Sequence, residues 1–182
     1  DHADIFPDLA AIQRQFHHLL RTVPGAGLIV ANGTDAHLAE VLAMGCWTPV
    51  EKFGVGDWEA QVIAADGSVF DVRYQGALQG RAEWAQLGPH SVHNALAALA
   101  AARHAGVPPA RAIAALGRFQ GVKRRLEARG AVDGVTVYDD FAHHPTAIAT
   151  TLAGLRARVG DRPIIAVLEP RSNTMKLGVF KD

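Results

Sequence analysis

Residues 135–145 read VTVYDDFAHHP, and the fold predicted for the second half of the chain follows from this segment. Its first four residues are β-branched or aromatic, which predicts a strand. Pro145 suits the first position of a helix, and apolar residues continue at helical spacing as far as Val159. The apolar run Ile164–Leu168 then predicts a second strand. This β-α-β pattern indicates a parallel sheet with a right-handed crossover.

The first part of the chain shows another α/β pattern. Helical spacing of apolar residues predicts a helix from Pro7 to Val23. The short apolar run Gly27–Ala31 is typical of a buried strand, and either Thr34 or Asp35 can cap the helix that follows. A strand followed by a helix is the repeating unit of an α/β sheet.

An antiparallel segment interrupts this pattern in the middle of the chain. Asp66-Gly67 has the preferred chemistry of a two-residue turn, which predicts a hairpin between residues 61 and 74. Helices are predicted next at residues 92–104 and 108–116. Because the α/β pattern starts again after them, we expect a domain boundary near residues 120–126.

The composition excludes several classes of function. A chain of 182 residues with 49% hydrophobic content can bury a core, and its 18 basic and 18 acidic side chains cancel. We therefore expect no binding to nucleic acid or to an anionic membrane. Cys46 has no partner for an internal disulfide, which fits a reducing cytoplasm. The longest apolar run, residues 95–102, is far shorter than the ~20 residues of a membrane helix.

Polar side chains follow the predicted strand of the opening stretch. Asp139 and Asp140 end this strand, and ligands of open α/β sheets bind beyond the carboxyl ends of strands. The free N–H groups at the start of the Pro145 helix suit an anion. The alternative is that these aspartates, with His143 and His144, form only a solvated turn and a helix cap.

Two segments resemble the Mur ligase family, whose members use ATP to join amino acids or peptides to UDP-N-acetylmuramate for bacterial peptidoglycan. They are GVKRRLE at residues 121–127 and YDDFAHHP at residues 138–145. A third, EPRSNTMKLG at residues 169–178, is most similar to members that reattach the recycled murein tripeptide L-alanyl-γ-D-glutamyl-meso-diaminopimelate. The alternative within the family is a member that adds L-alanine.

The resemblance implies roles for four residues of the first two segments. Asp140 and Arg125 would contact ATP, and the planar guanidinium of Arg125 can bind phosphate with two hydrogen bonds. His143 and His144 would lie beside the phosphates and the incoming substrate, as catalytic residues.

A fourth segment, GPHSVHNALAA at residues 88–98, is similar to a helix start in the family. His90 and Asn94 match the family there, and both would contact the nucleotide. The Asn94 amide can pair with an adenine edge. Ser91 replaces an asparagine of the family, and it can cap the helix.

Two further implied sites lie near the ends of the sequence. DHAD at residues 1–4 is similar to a family segment whose histidine is linked to Mg²⁺, which would make His2 the metal residue. Arg171, Ser172 and Asn173 would receive the tripeptide.

The resemblance also implies a domain organisation. Residues 1–122 would be the later part of a central ATP-binding domain, a mixed sheet with helices and an antiparallel excursion. Residues 123–182 would begin a Rossmann-like C-terminal peptide-binding domain. Because the chain has no Gly-x-x-x-x-Gly-Lys-Ser/Thr loop, we expect an internal fragment that is inactive alone.

Two alternatives from other classes stay open. A metal-dependent phosphohydrolase could use Asp139, Asp140, His143 and His144. A noncatalytic nucleotide-binding module would also lack a phosphate loop.

Overall fold

The computed structural model describes residues 5–169, which adopt an α/β fold. The helices are α1 (Leu9–Leu20), α2 (Ala36–Ala43), α3 (Pro89–His104), α4 (Pro109–Leu116) and α5 (Pro145–Val159). The strands are β1 (Ile29–Asn32), β2 (Val50–Phe53), β3 (Trp58–Val62), β4 (Val69–Tyr74), β5 (Ala77–Glu83), β6 (Glu127–Val132) and β7 (Val135–Asp139).

The larger sheet is mixed, with its five strands in the order β1-β2-β3-β4-β5. β1 pairs with β2 in parallel, and β2 meets β3 at a parallel bridge between Phe53 and Trp58. β3, β4 and β5 pair in antiparallel fashion, which confirms the predicted antiparallel excursion.

The turn of the predicted β3–β4 hairpin is longer than two residues. It spans residues 63–68, and the Asp66 carboxylate accepts hydrogen bonds from the backbone N and the Oγ of Ser68, at 2.9 and 2.6 Å. Gly67 has a φ of +80°, a conformation that glycine adopts without steric cost. The side chain of Asp66 thus organises this loop.

The hydrophobic core lies between the larger sheet and α3. Trp58, Phe70 and Val72 of the sheet are fully buried, and they belong to one cluster with Leu96 and Leu99 of α3. Burial of each large apolar side chain contributes about 1.5–3 kcal/mol, so this layer provides much of the stability of the first part of the chain.

Side chains at the helix starts explain most of the helix boundaries. Asp8 accepts a hydrogen bond from the Ala11 N–H at 2.7 Å, and Asp35, rather than Thr34, caps α2. α5 has the predicted bounds, with Pro145 in its first turn. Within the described part of the chain, none of the helices has the length and apolarity to cross a membrane.

The second sheet corrects the predicted β-α-β unit. β6 and β7 pair in antiparallel fashion around Asp133-Gly134, whose φ values of +51° and +80° suit a tight hairpin turn. The predicted strand at Ile164–Leu168 is wrong, because these residues form no strand and Ile165 and Val167 are 89% and 94% exposed. A strand requires a hydrogen-bonding neighbour, and Ile164–Leu168 pairs with neither strand of the second sheet.

A polar group inside the larger sheet connects three strands to α3. The buried Glu51 carboxylate on β2 accepts hydrogen bonds from Trp58 Nε1 at 2.8 Å and from the Tyr74 hydroxyl at 3.2 Å. It also forms an ion pair with Arg103 near the end of α3. The Arg103 guanidinium lies 4.5 Å from the centroid of the Tyr74 ring. Glu51 is therefore the shared acceptor of this network.

We expect Glu51→Ala to lower the free energy of unfolding by about 2–4 kcal/mol, because Trp58, Tyr74 and Arg103 each lose their buried acceptor. Chemical denaturation of the two proteins measures the difference. Glu83→Ala, at an exposed position on β5, is the control and should change stability by less than about 0.5 kcal/mol. Equal stabilities of the two variants would contradict this role of Glu51.

Candidate functional site

α5 crosses the start of α3 at a contact between two glycines. A Cβ atom at Gly154 would lie 2.9 Å from the Cα and 3.0 Å from the N of Gly88, so only glycine allows this approach. The Gly88 N–H donates to the Asp66 carbonyl at 2.7 Å, and Arg158 Nε lies 3.2 Å from Asp66 Oδ2. These contacts set the position of α5 on the first part of the chain. We call the four residues that make them the helix junction: Asp66, Gly88, Gly154 and Arg158.

The Asp66 carboxyl group stays ionised at this junction. Its burial alone would raise the pKa, but the hydrogen bonds from Ser68 and the charge of Arg158 outweigh burial and lower the pKa below its usual value. The buried carboxylate can therefore hold Arg158 at neutral pH.

A cavity of about 830 Å³ opens beside the helix junction, between α3, α5 and the linker, residues 120–126. This volume lies in the range of small-molecule sites. One wall is apolar and is formed by Leu87, Ala95, Ala98, Leu116, Phe119 and Val122. Polar groups of α3, the linker and α5 complete the lining.

All four residues predicted to contact a nucleotide line this cavity. His90 and Asn94 lie one turn apart on α3, Arg125 lies in the linker, and Asp140 follows β7. Although Arg125 and Asp140 are distant in sequence from α3, the fold places both residues at the same cavity as His90 and Asn94. Arg125 also lines a neighbouring cavity of about 570 Å³.

Asp140 connects the linker to the loop between β7 and α5. Its Oδ2 accepts from the Leu126 N–H and its Oδ1 accepts from the Ala142 N–H, each at 2.7 Å. Each carboxylate oxygen has a further lone pair, so Asp140 can still accept a hydrogen bond from a ligand. Its first effect is structural, because it fixes the backbone next to Arg125.

The charges of Asp140 and Arg125 both act on the imidazole of His90. Desolvation by the surrounding protein lowers its pKa although part of the side chain remains exposed. The negative charge of Asp140 opposes this shift, and the positive charge of Arg125 reinforces it. The lowered pKa keeps His90 neutral at pH 7, with one ring nitrogen as donor and the other as acceptor.

Ser91 lines the cavity but does not cap α3, so that prediction is wrong. Its hydroxyl donates to the Leu87 carbonyl at 2.7 Å, and the N-cap is Gly88, which has no side chain. The helix already begins at Pro89, one turn before the position that the periodicity indicated, and Ser91 therefore lies inside it.

The two histidines predicted to be catalytic lie outside the lining of the cavity. His144 is the N-cap of α5, where its Nδ1 accepts from the Thr146 N–H at 3.3 Å, and burial lowers its pKa. His143 Nδ1 lies 2.9 Å from the Phe141 carbonyl oxygen. The structure thus gives His144 the helix-cap role that the sequence left open, and a catalytic role for either residue stays a prediction.

The proposed metal residues do not assemble in the described part of the chain. Asp139 forms an ion pair with Arg124 at 3.4 Å, while both oxygens of Asp140 accept backbone hydrogen bonds. Residues 5–169 contain no group of three or more His, Cys, Asp or Glu that could hold a metal ion. This geometry does not support the phosphohydrolase alternative. His2 and residues 171–173 lie outside the described residues.

Several cavity residues were missed by the sequence reasoning. Trp84, Phe119, Thr150 and Thr151 all contribute to its lining. The indole N–H of Trp84 donates to the Gly67 carbonyl at 3.0 Å, which connects the cavity wall to the hairpin turn. The sequence offered a signal only on α5, where Thr150 and Thr151 interrupt an otherwise apolar face.

We expect Gly154→Ala to destabilise the protein, although alanine is the better helix former by about 1 kcal/mol. The added Cβ would meet the Gly88 backbone, and overpacking of this kind costs about 1–3 kcal/mol. Thermal unfolding measures the effect, with Ala153→Ser at an exposed position of the same helix as the control. A more stable Gly154→Ala protein would contradict the close approach of α5 to α3.

The lowered pKa of His90 predicts a pH dependence of stability. Between its folded pKa and its unfolded pKa near 6.5, the unfolded chain binds more protons, so stability falls as the pH falls through this window. His90→Gln should reduce the loss of unfolding free energy between pH 7.5 and pH 5.5, measured by denaturation at both pH values. His18→Gln, at an exposed position of α1, is the control. An unchanged loss in His90→Gln would contradict the assignment.

Comparisons with known proteins agree with the geometry. Residues 124–180 match the Mur ligase glutamate ligase domain. The whole chain is 56% identical to the UDP-N-acetylmuramate--L-alanyl-gamma-D-glutamyl-meso-2,6-diaminoheptandioate ligase of Escherichia coli K12 and covers 40% of it. Over 99% of its length it is 38% identical to a UDP-N-acetylmuramate--L-alanine ligase of Nitratidesulfovibrio vulgaris DP4, and it also covers 40% of that protein.

A solved structure extends the likeness to three dimensions. The murein peptide ligase of Psychrobacter arcticus 273-4 superposes with a TM-score of 0.69 at 46% identity, over 93% of this chain and 37% of that one. The chain thus spans about 40% of the length of the curated relatives that it matches. By sequence and by fold, it belongs to the Mur ligase family.

Proposed function

We propose that the whole protein is a murein peptide ligase, which joins the tripeptide L-alanyl-γ-D-glutamyl-meso-diaminopimelate to UDP-N-acetylmuramate with ATP and Mg²⁺. The observation that carries the proposal is that one cavity is lined by all four predicted nucleotide contacts, His90, Asn94, Arg125 and Asp140. The choice of tripeptide over L-alanine rests on identity, which is 56% to the relative named for the tripeptide and 38% to the relative named for L-alanine.

The cavity suits a nucleotide in volume and in chemistry. Its apolar wall can pack against a face of an adenine ring, and the amide of Asn94 offers both a donor and an acceptor to the edge of the base. Neutral His90 adds one further donor or acceptor. Arg125, which carries a permanent positive charge, can bind phosphate oxygens where the linker meets the cavity.

The proposed reaction activates a carboxylate and then forms an amide. The muramoyl carboxylate attacks the terminal phosphorus of ATP, giving an acyl phosphate and ADP. The amine of the tripeptide's L-alanine then attacks the acyl carbon, and inorganic phosphate leaves. Arg125 stabilises the negative charge that develops on the phosphate, and the enclosure of both reactants supplies proximity.

Two parts of the proposal concern residues outside the described range 5–169. Mg²⁺ would neutralise phosphate charge, with His2 as its predicted contact. Arg171, Ser172 and Asn173 would receive the tripeptide. A role in peptidoglycan recycling and a cytoplasmic location follow from this proposal, because ATP and nucleotide sugars are supplied in that compartment.

We expect the full-length protein to release ADP from ATP, with Mg²⁺ and UDP-N-acetylmuramate, only when the tripeptide is present. A coupled assay of ADP release compares the tripeptide with L-alanine. Release with L-alanine alone would move the assignment to the L-alanine ligase. If neither the tripeptide nor L-alanine gives ADP release, the result contradicts a ligase and favours the noncatalytic nucleotide-binding alternative.

Arg125→Ala serves as the site variant in the same assay. Loss of a charged group aimed at developing phosphate charge should lower kcat/KM for ATP by roughly 100-fold. Arg111→Ala, at an exposed position of α4, is the matched arginine control and should retain wild-type activity. Wild-type activity of Arg125→Ala would remove Arg125 from the proposed site.

A further inference from the structure

The linker carries an unusual backbone around Arg125. Arg124 and Leu126, the residues on either side of it, have φ values of +59° and +48°. L-residues rarely adopt this left-handed conformation, because the Cβ atom crowds the backbone. Since neither residue is glycine, contacts from other parts of the chain must hold the turn.

Arg124 makes contacts of this kind with β7 and the loop that follows. Its Nε lies 3.4 Å from Asp139 Oδ2, and its guanidinium carbon lies 4.9 Å from the centroid of the Phe141 ring. Its carbonyl accepts from the Phe141 N–H at 2.9 Å, while its own N–H donates to Glu127 Oε2 at 2.9 Å. Both backbone groups and the side chain of Arg124 are therefore engaged.

The two arginines of the linker are directed to different surroundings. Arg125 lines both cavities, whereas Arg124 lines neither of them. On the other side of Arg125, the Leu126 N–H is held by Asp140. The turn is thus fixed at residue 124 by Asp139 and Phe141 and at residue 126 by Asp140. Arg125 is the residue between these two attachments.

We propose that Arg124 is a positioning residue, which locks the linker turn on Asp139 and Phe141 so that Arg125 faces the nucleotide cavity. This inference rests on the proposed function, because it assumes that Arg125 meets the phosphates. Arg124 acts through Arg125 and does not touch the substrate. A lysine at position 124 keeps the charge opposite Asp139 but loses the planar contact with Phe141.

A double-mutant cycle on the full-length protein tests the inference. Arg124→Ala, Arg125→Ala and the double variant are compared with the wild type in ATP dissociation constant by calorimetry and in KM by ADP release. Loss of an exposed ion pair and a cation–π contact should raise both ATP constants by about tenfold in Arg124→Ala, and Arg124→Lys should lie between. The tripeptide KM should stay unchanged.

The decisive result comes from the double variant. Its ATP dissociation constant and KM should equal those of Arg125→Ala, because Arg124 acts only through the side chain of Arg125. Additive losses would overturn the inference by showing that Arg124 contacts the nucleotide itself. A lower melting temperature with an unchanged ATP constant would overturn it in favour of a purely structural role. Arg111→Ala is again the control.

The same experiment separates this inference from the proposed function. If the wild type binds ATP but shows no tripeptide-dependent ADP release, the ligase proposal fails while the cycle of dissociation constants still tests Arg124. If the wild type is active and the cycle is additive, only the inference fails. A wild type that does not bind ATP would overturn both.

Discussion

The contact between Gly88 and Gly154 is the constraint on which the site depends. It brings the backbone of α5 against the first residues of α3, at a distance that leaves no space for a side chain. Asp66 reinforces this contact from both sides, because its carbonyl accepts from Gly88 and its carboxylate holds Arg158. The cavity beside this junction depends on the contact, because the contact fixes α5 against the start of α3.

The cavity divides its chemistry between the two parts of the chain. α3 supplies His90 and Asn94 and, with α4, part of the apolar wall, whereas the linker supplies Arg125 and the loop after β7 supplies Asp140. Asp140 also accepts the hydrogen bonds that fix the linker backbone. A ligand in this cavity would thus contact Arg125 on a backbone that the Asp140 carboxylate holds, and this couples recognition to the geometry of the linker.

The sequence predicted those features that depend on local chemistry. α5 has its predicted bounds because Pro145 favours a helix start and Gly160 ends the helix. The grouping of Arg125 and Asp140 with His90 and Asn94 came from the family resemblance, since spacing along the chain does not reveal which loops meet.

The features that the sequence analysis missed or predicted wrongly depend on contacts between segments of the chain. β6 was missed because EARGAV has little strand propensity, so its pairing comes from the turn at Asp133-Gly134. The strand predicted at Ile164–Leu168 was wrong because an apolar run carries no information about whether a neighbouring strand is available. The role of Arg124 could not be inferred, because charge patterns do not report a backbone φ. Thus the sequence revealed helices and candidate residues, whereas contacts between distant segments required the structure.

The helix junction also has a consequence for the order of folding. Hairpins β3–β4 and β4–β5 join segments that are close in the chain, and they can form early because few residues are ordered in closing them. The contact of Gly154 with Gly88 closes a long loop that includes α4, the linker and the second sheet. It can form only after both partners exist, so we expect the cavity to form in the last stage of folding. Partial opening of the native chain should begin at this same contact, before the larger sheet is disturbed.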